Sequence, residues 1–214
     1  MSDPREAVRG IQRHLEAIYA LEVGADVGQF LVGSDGLGQL VEAGAASPEL
    51  IGSPEQVLLT QQEDGVELAV YLADDVQSGL VEGRLQDHCH ATEAVSHFLM
   101  LVWSGQRERR VRLLDLELQA EVDKASTVLL LDRSFNGGAG GQRLLERLFG
   151  AVQLLPGLAP HEQERYRAAH RLGRQYAQRL AGLLEHGVDQ LLAELRRFYR
   201  LPAEGKRERA AQAA

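Results

Sequence analysis

One cysteine, Cys89, stands in a chain of 214 residues, which excludes an internal disulfide and any cysteine-rich zinc site and suits a reducing compartment. No stretch approaches the roughly 20 consecutive apolar residues that a membrane span requires. The opening Met1-Ser2-Asp3-Pro4-Arg5-Glu6 lacks the basic segment and apolar run of a secretory leader. A cytoplasmic protein with no membrane partner is therefore expected. Phosphate-binding glycine loops are lacking too: Gly33-Ser34-Asp35-Gly36-Leu37-Gly38 breaks the G-x-G-x-x-G order, no Lys-Ser/Thr follows it, and two acids lie nearby where a phosphate would want none. Aromatic residues are scarce at 5%, whereas Leu and Ala recur at helical spacing over most of the second half. That combination predicts a mainly helical protein.

The net charge of −8 is unevenly spread: residues 1–75 hold 14 acids and three arginines, whereas residues 133–214 hold 14 bases and eight acids. An acidic front and a basic back attract each other within or between molecules, unless both are simply solvated surfaces.

The fold class read from the chain is mainly α (α+β), a helical bundle with a small antiparallel β-hairpin or sheet in the N-terminal third. Ser2 or Asp3 caps a first helix starting at Pro4, with Val8, Ile11, Leu15, Ile18 and Tyr19 as its apolar stripe. Residues 24–54, rich in Gly and Pro, read as loops around short pieces at 29–32 and 37–43. Val57-Leu58-Leu59-Thr60 and the alternating Val66, Leu68, Val70 and Leu72 flank Asp64-Gly65, which is a hairpin signature. An isolated hairpin is marginal in water, so its Val/Leu face must lie against helices or join a strand from 29–32.

The segments are 1–84 (helix, glycine-rich loops and hairpin), 85–132 (an antiparallel helical hairpin), 133–142 (a glycine-rich linker or hinge), 143–201 (C-terminal helices) and 202–214 (a frayed tail), together expected to make one compact domain. In the long helix from about His161, Tyr166, Ala169, Gly173, Tyr176, Leu180 and Leu183 form a seam in which Gly173 allows close approach.

Two stripes of ionisable residues lie inside apolar helix faces. At 100° per residue, His90, Glu93 and His97 share one arc of the first helix of the 85–132 hairpin, and Glu117, Glu121 and Lys124 share one arc of the second. Asp115, Gln119, Asp123 and Ser126 fall on the opposite side of that second helix. Antiparallel register would set Glu93 against Lys124, and His97 against Glu117 or Glu121. Buried charge must be paired, hold a ligand or line a wet cleft. The stripes therefore read either as a structural network or as a site. In a site, His97 and Glu121 would serve as acid and base with Glu93 and Lys124 beside them, or His90, His97, Glu117 and Glu121 would bind a divalent metal. The spacing matches neither H-E-x-x-H nor the paired E-x-x-H of di-iron bundles. Cys89 lies about 100° from His88 and His90 on the helix, so it forms no Cys-His dyad and reads as a packing residue.

Arg165, Arg167, Arg171, Arg174 and Arg179 spread over the long helix as a solvated face or a contact for nucleic acid or an acidic partner. Within it, Arg165-Tyr166-Arg167-Ala168-Ala169-His170 resembles the Arg-x4-6-His pattern of HEPN ribonucleases, helical proteins that cut RNA as dimers. The resemblance covers six residues and implies an RNA-cutting role for Arg165 and His170. Two broader classes stand beside it: an accessory or protein-interaction protein acting through self-assembly or a protein partner, and an enzyme or divalent-metal-binding protein built on the two stripes. The first is preferred, because no nucleophile, phosphate loop or strong ligand motif occurs.

Overall fold

The computed structural model describes residues 3–62, 65–150, 154 and 158–212, so Ser2 as a cap, Asp64 in the hairpin turn and the break near Pro156 lie outside the described residues. The protein is mainly helical, with ten helices among the described residues and a three-stranded mixed sheet in the N-terminal third. It divides into two compact units: the first holds Met1–His14 and Val23–Gln106, the second Leu15–Glu22 and Arg107–Ala214. No helix among the described residues is long and apolar enough to cross a membrane.

Helix α1 (Pro4–Tyr19) starts where the Asp3 carboxylate accepts the Arg5 N–H at 2.9 Å, and its anticipated stripe is buried throughout. The helix contributes residues up to His14 to the first unit and continues into the second. Gln12 ties α1 to the loop after it, donating to the Ala25 carbonyl at 2.7 Å and accepting the Val27 N–H at 2.8 Å.

In the first unit, α2 (Val27–Phe30) leads into strand β1 (Leu31–Val32) and α3 (Ser34–Glu42). Strands β2 (Glu55–Gln62) and β3 (Gly65–Leu72) pair antiparallel with Val57 opposite Val70 and Leu59 opposite Leu68. β1 joins β3 in parallel at Val70 and Tyr71, giving the order β1-β3-β2. Two more helices follow, α4 (Asp74–Val81), which is not among the expected elements, and α5 (Leu85–Gly105). α5 packs on α4 and on both long strands, so the inner half of the hairpin lies against helices as required.

In the second unit, α6 (Leu113–Asn136) runs past its anticipated end near Leu131 because Gly137 adopts a left-handed φ of 67°, and the Gly138 N–H bonds back to the Asp132 carbonyl at 3.2 Å. The Asp132 carboxylate also accepts from Asn136 at 2.9 Å and from the Gly140 N–H at 3.0 Å. The anticipated linker therefore shrinks to the short turn before α7 (Gly141–Gly150). α8 (Pro160–Glu185) starts with Pro at its first position and the Glu162 carboxylate on the Ala159 N–H at 2.9 Å. α9 (Val188–Arg200) follows with its expected bounds.

The tail expected to fray is instead a helix, α10 (Ala203–Ala211), with Lys206 and Ala210 buried. It packs on α8 and α9, which supply the apolar cover that the tail's own composition lacks. The opposite side of α6 is likewise no outer surface: Asp115, Gln119, Asp123 and Ser126 are all buried.

Candidate functional site

Each ionisable stripe lies in its own unit. His90, Glu93 and His97 are on α5 of the first unit, with His97 buried and the His90 Nε2 at 3.1 Å from the Gln86 side-chain amide. Glu117, Glu121 and Lys124 are on α6 of the second unit.

Within the second unit that stripe meets α8, and the close approach occurs at Gly173. A Cβ there would lie 2.5 Å from the Glu121 Cβ. Beside this point, Arg165 Nε lies 3.6 Å from the Glu117 carboxylate and Lys124 Nζ 3.3 Å from Glu121. The His170 Nε2 donates to the Phe149 carbonyl at 3.0 Å, and its Nδ1 lies 3.9 Å from the Glu121 carboxylate. Carboxylates of α6 thus face basic side chains along a largely buried seam, and Arg165 also reaches Glu162 on its own helix at 4.0 Å. Arg165 and His170, the pair carrying the HEPN resemblance, are both directed at glutamates of α6. Arg167, Arg171 and Arg174 remain exposed on α8.

A second cluster escaped sequence reasoning. On the far side of α6, Asp123 accepts from the Tyr19 hydroxyl and from the Gln119 amide at 2.9 Å. The Lys206 ammonium donates to the Gln119 carbonyl oxygen at 2.7 Å and lies 5.0 Å from the Tyr199 ring centre and 5.5 Å from that of Phe198. Asp115 is buried as well, and neither of its carboxylate oxygens makes a hydrogen bond. Burial pushes the Lys206 amine down to about 8, against the opposing pull of Asp123 and Asp115. A neighbouring clamp secures the same terminal helix: Arg209 grips the Glu194 carboxylate with two 2.8 Å bonds, and the Tyr176 hydroxyl donates to it at 3.0 Å. Burial raises the Glu194 carboxyl, but the Arg209 and Tyr176 hydrogen bonds outweigh it and hold the group below its usual range.

The Lys206 shift has a measurable consequence. The folded protein releases this proton near pH 8 and the unfolded chain only near 10.5, so between those values the unfolded chain carries the extra proton. The second unit therefore gains stability as pH rises through that window, by up to about 3 kcal/mol. Above pH 10 the trend reverses, because burial raises the Tyr19, Tyr176 and Tyr199 hydroxyls and the fold retains protons that the unfolded chain gives up. Urea midpoints across pH 7.5–11 should show this maximum in the wild type. Lys206→Met should lack the rising limb; an identical limb in the variant would count against the assignment.

The first unit presents a different feature. Strand pairing places Val57, Leu59, Val66, Leu68 and Val70 on one face of the hairpin. Val70, near the root, is buried, whereas Leu59 is 50% and Val66 65% exposed. An apolar face therefore begins in the core and continues into solvent. β2 is the outer strand, β1 covers only two residues of β3, and residues 51–72 carry four acids and no base. Near the hairpin root, α3, α4 and the loop before β2 enclose an open cavity of about 400 Å3, lined by Leu37, Ile51, Tyr71 and Val76 with Ser34 and Asp75.

Comparison of the chain with protein-family models, with curated proteins and with solved structures returns no match.

Proposed function

We propose that this chain is a protein-interaction protein whose working surface is the outer half of the β2–β3 hairpin. One observation carries the reading: the apolar face holding Val57 and Val70 extends past the core to Leu59 and Val66. Exposed apolar residues scattered singly are ordinary, but a contiguous strip on an outer strand marks an interaction surface or an aggregation hazard. The strip carries little of the folding energy, since its residues remain in water. Covering by a protein would remove that apolar area from water, which is the use proposed for it.

A Leu59→Lys/Val66→Lys variant should keep the wild-type circular dichroism and melting temperature while losing association. Sedimentation velocity reads self-association. Quantitative capture of bound proteins, wild type against variant, reads a heterologous partner. The reading stands if one of these associations occurs in the wild type and is abolished in the variant. It fails if both are absent, or if both persist unchanged in the variant.

A further inference from the structure

We infer that a second copy of this chain covers the hairpin strip, head to tail, by presenting Leu131 and Phe135 from the C-terminal end of α6 to Leu59 and Val66. The inference rests on the interaction reading above and names the occupant. Leu131 and Phe135 are four apart on α6 and so share a face, and Phe135 is 80% exposed. A phenylalanine left this far in water is a ready anchor for an apolar partner.

Charge selects which patch meets which. Residues 51–72 carry four acids and no base, whereas residues 131–150 carry Arg133, Arg143 and Arg147, all exposed, against the exposed Glu146 and the buried Asp132. The same contrast holds for whole units: fifteen acids and four arginines give the first −11, and sixteen acids with nineteen bases give the second +3. Pairing two hairpin strips would bring two units of net −11 together. Pairing a hairpin strip with the α6 end brings apolar onto apolar between units of opposite net charge. Each copy then offers one donor patch and one acceptor patch, the heterologous arrangement that closes into rings or extends into filaments.

The test uses full-length wild type and two surface variants, Val66→Lys and Phe135→Glu, each placing on its patch the charge that the opposing patch repels. Wild type should associate with rising concentration, and added salt should weaken it. Each variant alone should associate about tenfold more weakly or worse. An equimolar mixture, one variant fluorescently labelled, should regain association, because the intact strip of one variant meets the intact α6 end of the other. If wild type self-associates but the mixture does not recover, the head-to-tail contact is wrong and the interaction reading survives. If wild type stays monomeric at every concentration, the second copy is wrong as occupant, and the capture comparison alone decides the interaction reading.

Discussion

Lys206→Ala is expected to destabilise the second unit by about 3–5 kcal/mol at pH 7. The side chain is 2% exposed, and its ammonium is the cation set among Gln119, Asp123 and Asp115. Removing it leaves buried carboxylates without their counter-charge, opens a cavity of several methylenes beside Tyr199 and Phe198, and strands the Gln119 carbonyl oxygen. These losses fall on one helix, so α10 should become accessible to protease before the rest of the unit unfolds. Urea unfolding and limited proteolysis read the two effects. Adding Asp123→Asn should recover part of the loss, because the uncompensated charge is then gone. A cost below about 1 kcal/mol would mean that the carboxylates are neutral or solvated, and the buried network would have to be abandoned.

Gly173→Val should be damaging too, for a purely steric reason. The new Cβ would lie 2.5 Å from the Glu121 Cβ and 3.2 Å from its Cγ, atoms next to the α6 backbone that cannot swing aside. The α6–α8 seam must open, and overpacking of this kind costs about 1–3 kcal/mol, with the β-branched side chain at the upper end. Widening the seam also separates Arg165 from Glu117 and His170 from Glu121. Gly182→Ala on the same helix provides the control, since a Cβ there meets nothing within 4 Å. It should stabilise by about 0.5–1 kcal/mol through helix propensity alone. Opposite signs for two glycine substitutions in one helix would isolate the close approach; equal signs would refute it.

Both α1 and the hairpin were legible because their periodicities are local: a stripe at three and four, an alternation at two, Pro4 at one boundary and Gly65 at another. α9 was bounded by Gly187 and Pro202 in the same way. Gly173 stood out because a small residue interrupts a seam of larger ones. The tail and the polar side of α6 were misread, and for one reason. Ala203–Ala211 has little apolar surface to hold it in place, and Asp115, Gln119 and Asp123 read as an ordinary wet face; each makes sense only once Lys206 is known to reach across to Gln119. A pairing 87 residues apart leaves no periodic trace. The partners of Glu117 and Glu121 were hidden likewise. Arg165 and His170 share a spacing visible in the sequence, whereas the glutamates beside them, at 3.6 and 3.9 Å, belong to another helix.

The passage of α1 from one unit into the other makes the second unit discontinuous in sequence. Its Tyr19 hydroxyl meets Asp123 across 104 residues, and residues 23–106 of the first unit are synthesised between them. A nascent second unit thus waits for the whole intervening segment to emerge before Tyr19 can meet Asp123. For anyone dissecting the protein, no single cut releases it whole: a fragment beginning at Arg107 would carry Asp123 without its tyrosine. Supplying residues 15–22 as a separate peptide would turn this intramolecular seam into a measurable binding reaction.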